Sequence, residues 1–302
     1  TRMGASGSRH RRRLGAPTRI RIDDEQSGGR AVGRRLSEAG VNPMGGKIRD
    51  RFELVRVEGP DSRRFLDGLL SQDLAELHPT RGLRSFLLSP QGKLRALLWV
   101  AGTEERVDLY TDAGLGERVA ADLSHYKIRV KAGISPIAGA LAFLDGIPPG
   151  AVEADLGDRV RGFSTVDPGW EEISENEWAL ARIEAGEPVM ELDVDERTIP
   201  QETGLLGEAV SFTKGCYLGQ ELVARLDSRQ GRVNRNLRRV ELDGPVTAPA
   251  VVEVDGEAVG SLTSIASDAG KVIGLGLLHR RVEPGDQILV GERKGQVLGA
   301  NP

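Results

Sequence analysis

Cysteine is almost missing from this chain: its 302 residues contain one, Cys216. A single thiol excludes an intramolecular disulfide and fits a reducing compartment, with cytoplasm the default. Long apolar runs are missing as well. No stretch of eighteen apolar residues occurs, so no membrane helix is expected. The arginine-bearing N-terminus is not followed by the apolar stretch of a secretory signal. The four histidines (His10, His78, His125, His279) are scattered, so no zinc-like spacing can be assembled and no metal site is expected. No internal repeat is visible.

Positive charge is lacking where a nucleic-acid surface would need it. The formal net charge is −4, but residues 1–49 hold twelve Lys/Arg against four Asp/Glu, and the remainder holds 29 against 41. The part with globular composition is therefore acidic, and direct nucleic-acid binding is not expected. The run Arg11-Arg12-Arg13 belongs to a Gly- and Arg-rich stretch without apolar periodicity. Residues 1–48 read as a flexible basic arm.

What is present is ordinary globular material, 39% hydrophobic and 28% charged. Order is expected to begin near Phe52, with Phe52–Val57 a strand broken by Gly59-Pro60. Phe65, Leu66, Leu69 and Leu70 then recur at helical spacing. Arg84–Leu88 and Leu94–Val100 flank Ser89-Pro90-Gln91-Gly92, which predicts a hairpin. Val107–Thr111 reads as a strand, and Leu115, Val119, Leu123 and Tyr126 form the apolar stripe of a helix. Ala140–Leu144 returns to strand character, whereas residues 151–172 give no clear order. Strands with isolated helices, lacking strict βαβ alternation, predict an α+β fold. Beyond Gly244, short β pieces follow one another: Val251–Val254 and Glu257–Leu262 around the turn signal Asp255-Gly256, then Val272–Leu278 and Ile288–Val290. They predict a small antiparallel barrel over 244–302. That leaves 49–243 as the main region.

The stretch that carries chemistry is Lys214-Gly215-Cys216-Tyr217-Leu218-Gly219-Gln220-Glu221, continuing to Arg225. Leu218, Leu222 and Leu226 mark a helix whose first turn would lie at or just after Gly215 and Cys216. Helix N-termini gather unpaired N–H groups and positive potential, which favour a thiolate, and Lys214 would add to this if it reached the sulfur. Arg225 could pair with Glu221 one turn away. A lone cysteine is more often a small buried hydrophobe than a nucleophile, and one thiol cannot hold an iron–sulfur cluster, which usually takes four.

These eight residues resemble the K-G-C-[YF]-x-G-Q-E motif of YgfZ-type proteins. Arg182-Ile183-Glu184-Ala185-Gly186-Glu187-Pro188 with Pro200-Gln201-Glu202 resembles a block that YgfZ-type proteins share with the glycine-cleavage T-protein. Val57–Asp61, Phe65-Leu66, Ser71-Gln72-Asp73-Leu74 and Ser89–Lys93 match further, so the likeness spans roughly residues 52–243. The resemblance implies a T-protein-like folate-binding fold with tetrahydrofolate or a derivative in a central channel. Glu184 is the implied pterin-reading carboxylate, with Arg182 and Glu202 beside it. It also implies a factor for iron–sulfur protein assembly acting through Cys216 and Lys214, with Tyr217 and Gln220 near the folate and Gly215, Gly219, Glu221 and Arg225 completing the motif. Iron–sulfur assembly machinery or client apoproteins are the implied partners.

The pattern departs from T-proteins at one place. Their essential acidic residue, just after the hairpin turn, falls here on Lys93-Leu94-Arg95-Ala96, which contains no Asp or Glu. Aminomethyl transfer is disfavoured without that carboxylate. A folate-dependent one-carbon transferase and an indirect factor in tRNA modification are the alternative functions.

Overall fold

A computed structural model describes residues 45–157, 159–227 and 233–299. Most of the expected arm (1–48) lies outside these residues. Two antiparallel sheets organise the rest. The first has the order β2-β3-β4-β1-β5-β7-β6. Its strands are β1 (Gly46–Glu58), β2 (Leu83–Leu88), β3 (Leu94–Gly102), β4 (Arg106–Asp112), β5 (Gly133–Leu144), β6 (Val152–Leu156) and β7 (Arg159–Ser164). The central strand thus starts at Gly46, ahead of Phe52. Its register against β5 shifts between Ile48 and Phe52, and an irregular strand of this kind hides its beginning from an alternation count.

The first sheet buries both faces because its strands alternate. Val55, Leu98 and Leu109 enter one core together with α1 (Ser62–Asp67) and α2 (Gly116–His125), through Leu66, Val119 and Leu123. Their neighbours Leu54, Trp99 and Tyr110 face the other way, into a core shared with Phe52, Phe163 and Trp178. Trp178 comes from α3 (Glu175–Glu184), which is N-capped by Ser174. β2 and β3 form the expected hairpin, with the Gly92 N–H bonded 2.8 Å from Ser89 O.

The second sheet contains β8 (Arg235–Leu242), β9 (Ala250–Val254), β10 (Glu257–Leu262), β11 (Ser264–Asp268), β12 (Lys271–His279), β13 (Gln287–Val290) and β14 (Arg293–Val297). Six of them run β10-β9-β13-β14-β8-β12, and a further β10–β12 pairing closes the ring into a barrel, with β11 added outside on β12. Closure removes the open edges a small sheet would otherwise present. The barrel takes in β8, which lies before the Gly244 where turn signals first cluster, because only pairing with β12 and β14 recruits it. Asp255 and Gly256 make the expected turn, both at positive φ (53° and 78°). Between the sheets in sequence come a 3-10 turn (Pro200–Glu202), α4 (Leu206–Ala209) and α5 (Gln220–Asp227). Among the described residues, no helix is long and apolar enough to cross a membrane.

Candidate functional site

On the α1–α2 face of the first sheet, residues 211–219 run without regular structure into α5. The Lys214 side chain is almost wholly buried. Its ammonium lies 2.8 Å from Asp67 O, 2.9 Å from Asp67 Oδ1, 3.1 Å from Leu70 O and 2.8 Å from Gln72 O. These oxygens end α1 and line the turn after it, where helix carbonyls lack intrahelical partners. The ammonium, expected to act on the sulfur if it reached it, is committed to these four oxygens. Tyr217 is buried in the core beside Val223, and burial pushes its hydroxyl up to about 12. Cys216, between two anchored residues, is exposed. It is therefore not the buried small hydrophobe that a lone cysteine usually is.

The helix starts later than the leucine spacing suggests. Gly219 has φ +80°, and a Cβ there would come within 2.5 Å of Ser89 O in the hairpin turn, so the chain turns at Gly219 and α5 opens at Gln220. Cys216 consequently stands four residues ahead of the first residue of α5 rather than in its first turn. At Gly215 a Cβ would meet nothing within 4 Å, so close packing does not require glycine there. Glu221 and Arg225 are both exposed on α5, one turn apart.

Segments far apart in sequence converge here. The hairpin turn touches Gly219, the Leu218 N–H donates to Gly68 O (3.2 Å), and the Ser71 hydroxyl donates to Ala209 O (2.6 Å). Gln201 Nε2 donates to Val223 O on α5 (3.1 Å). At the position where the resemblance calls for an acid, Arg95 is held by both oxygens of Asp122 on α2 (2.8 and 3.0 Å) and by Glu196 (2.6 Å).

The opposite face contains a cavity of about 390 Å³, lined by Phe52, Asp112, Arg161, Trp178, Arg182 and Glu187 among others. Arg161 is 1% exposed and sits among aromatic rings, 5.0 Å from Trp99, 5.1 Å from Phe163 and 5.7 Å from Phe52. It meets Glu187 with both terminal nitrogens (2.7 and 2.8 Å), and Arg84 adds a third contact at 3.0 Å. Burial alone would raise the Glu187 carboxyl, but the two guanidiniums hold it down at about 2. Asp112, at the end of β4, is pushed up to about 7, chiefly by burial. The Met190 N–H and the Arg182 and Arg161 charges oppose this shift, and Glu187 adds to it.

Of the residues expected to read a folate, the cavity receives Arg182 alone. That guanidinium bonds Asp193 (2.9 Å), Ser264 Oγ (2.5 Å) and Glu187 O (3.2 Å). Glu184, the last residue of α3, is half-exposed and pairs with Lys271 of β12 at 3.1 Å, outside the lining. Glu202 is buried, accepts from the Ile199 N–H (3.2 Å) and pairs with Arg235 of β8 (3.1 Å), joining the 3-10 turn to the barrel. Asp112, Arg161 and Glu187 went unnoticed as site residues in the sequence. Strand alternation offered a signal for Asp112 alone, which shares a face with Tyr110 and puts a charge where an apolar residue is expected; Arg161 shares a face with Phe163, but on a strand that the sequence does not reveal. No group of three or more His, Cys, Asp or Glu side chains that could hold a metal ion occurs among the described residues.

No protein-family model matches the chain. Among curated proteins it is similar to the mitochondrial iron–sulfur cluster assembly factor IBA57 of Mus musculus, 29% identical over 291 residues and 80% of both chains. It is also similar to the tRNA-modifying protein YgfZ of Klebsiella pneumoniae, 28% identical over 218 residues, covering 60% of this chain and 66% of the relative. The glycine cleavage system aminomethyltransferase T of Bartonella henselae superposes with a TM-score of 0.69 at 19% identity, covering 85% of this chain and 86% of that one. The fold is of the YgfZ type, T-protein-like. In this YgfZ-type fold the motif thiol and the cavity belong to opposite faces of one sheet, the thiol loop packing with Val55 and the cavity with Phe52.

Proposed function

We propose that this protein is a folate-dependent factor for the assembly or maintenance of iron–sulfur proteins, acting through the thiol of Cys216. The observation that carries the reading is the exposure of Cys216 between Lys214 and Tyr217, both tied into the structure. An exposed thiol on a fixed loop is accessible to a partner protein, whereas a buried one is inert. One thiolate supplies one ligand, so Cys216 acts as a nucleophile or as a transient ligand shared with the assembly machinery or a client apoprotein. The relatives named for iron–sulfur assembly and tRNA modification support the same role, since some tRNA-modifying enzymes depend on iron–sulfur clusters.

The cavity suits a folate. Its volume lies within the usual range for small-molecule sites, about 300–1,000 Å³. Phe52 and Trp178 contribute apolar wall, and the fully buried Arg161 Nε has no hydrogen-bond partner among the described residues. Arg161 and Arg182 would hold polar edges of the ligand, and the aromatic walls would exclude water from it. A reduced folate supplies a pterin and a carrier nitrogen for one-carbon units when bound. Arg95, locked by Asp122 and Glu196, weighs against aminomethyl transfer, because no carboxylate stands free at that position to move a proton.

The test is the activity of an aconitase-type [4Fe–4S] enzyme in cells lacking this protein, complemented with wild type or with Cys216→Ala. Restoration by wild type alone is expected. Equal restoration by both would sink the thiol role.

A further inference from the structure

Two buried acids, Asp112 and Glu187, line the cavity, a third, Asp193, lies behind Arg182, and Glu187 and Asp193 are fully engaged. Glu187 receives Arg161 and Arg84 across both oxygens. Asp193 accepts from the Thr263 and Ser264 hydroxyls on Oδ1 (2.6 Å each), and from Arg182 (2.9 Å) and the Val189 N–H (3.0 Å) on Oδ2. Asp112 is different. The residue is 8% exposed, and its carboxyl accepts one hydrogen bond, on Oδ2 from the Met190 N–H (2.9 Å); no other hydrogen bond or ion pair to the carboxyl is present among the described residues. A buried carboxyl with a single neutral partner is costly unless something else completes it.

The surroundings say what would complete it. The cavity walls bring together Phe52 from β1 and Trp178 from α3, packed edge to face with ring centroids 5.8 Å apart and planes at 82°. The charged groups facing Asp112 are Glu187, Arg182 and Arg161, and Asp50, Arg51 and Glu175 also line the space. The two nearest cations are already paired with Glu187 and Asp193, so an anionic group placed against Asp112 itself would meet an uncompensated carboxyl, whereas a neutral N–H-bearing edge would not. A heterocycle presenting N–H donors meets an acceptor beside aromatic side chains.

We infer that Asp112 is the specificity-determining group of this cavity, reading a planar nitrogen heterocycle through two adjacent N–H donors, such as the 2-aminopyrimidine edge of a pterin. The inference rests on the folate reading above, and it moves recognition of the heterocycle from Glu184 to Asp112. It also requires a proton to move. The carboxyl sits at about 7 in the free protein, mainly through burial, and N–H donors bind its ionised form. Binding therefore expels the proton from the Asp112 carboxyl to solvent, and affinity rises about tenfold from pH 6 to pH 8 before levelling.

The test is calorimetric titration of the full chain with 5-formyltetrahydrofolate at pH 6, 7 and 8, in buffers of different ionisation enthalpy, for wild type and Asp112→Asn. Wild type is expected to release a proton on binding and to tighten with pH. Asp112→Asn is expected to bind at least tenfold more weakly at pH 8, without proton release. Binding by Asp112→Asn within twofold of wild type overturns the inference and leaves the folate reading standing. Wild-type binding without proton release or pH dependence overturns it too, and needs no variant. No binding by wild type overturns the folate reading and this inference together.

Discussion

The two faces of the first sheet solve opposite problems. On the α1–α2 face an apolar core of leucines and valines supports a loop that puts one thiol into solvent, and the charge nearby, Lys214, is used to finish a helix end. On the other face a ring of aromatics surrounds charges taken out of water: Arg161 and Arg84 share Glu187, Arg84 also pairs with Glu208, and the Asp112 carboxyl is left nearly unpartnered. The first arrangement fixes a backbone so that a side chain can be free. The second fixes side chains at an electrostatic cost, which a stability optimum would avoid and a binding site can use.

The comparison breaks most visibly at Glu187. Glu187→Ala leaves Arg161 and Arg84 buried without their shared carboxylate, and a loss of about 3–5 kcal/mol is expected in urea unfolding. A loss under about 1 kcal/mol would show that the aromatic cage alone carries Arg161.

Lys214→Ala removes the donor shared by four oxygens, at an expected cost of about 2–3 kcal/mol, because the carbonyls after α1 lose their partner. The same variant should leave the cavity's ligand affinity within twofold, which a titration with 5-formyltetrahydrofolate checks.

Asp112 contributes with the opposite sign. Its carboxyl is raised from the ordinary range to about 7, so its favourable contribution is fullest below the unfolded pKa of about 4 and is lost as pH rises through 7. Wild type should therefore lose about 2–3 kcal/mol between pH 5 and pH 8 from this group, and Asp112→Asn should abolish that slope and be the more stable protein at pH 8. Unfolding free energies of both proteins across this range decide the matter.

The smallest thermodynamic effect belongs to Cys216. Cys216→Ser should change stability by less than about 0.5 kcal/mol, since the side chain is exposed, while still failing to restore the iron–sulfur enzyme. A large loss of stability would mean that the thiol is part of the packing.

The sequence read well wherever a local rule sufficed. The β2–β3 hairpin followed from Pro90 and Gly92, the β9–β10 turn from Asp255-Gly256, and α2 from the spacing of Leu115, Val119 and Leu123. The motif around Cys216 was legible as a unit, though its helix starts at Gln220 because Gly219 packs against the hairpin turn. β7 was not legible: residues 151–172 are rich in Gly and acidic residues, and only pairing with β5 and β6 makes a strand of Arg159–Ser164. The strand expected over Val107–Thr111 stopped one residue short of Asp112.

By itself, then, the sequence determined the β2–β3 hairpin, α2, the β9–β10 turn, the α+β class, the barrel in the C-terminal third and the position of the lone cysteine. Turn chemistry and side-chain periodicity are local, and they are written within a few residues. The tertiary structure alone decided which charges are buried and what they meet. A carboxylate's partner, its burial and hence its protonation depend on residues brought together from distant strands: Glu184 finds Lys271, Glu187 finds Arg161 and Arg84, and Asp112 finds a single N–H beside an aromatic cavity.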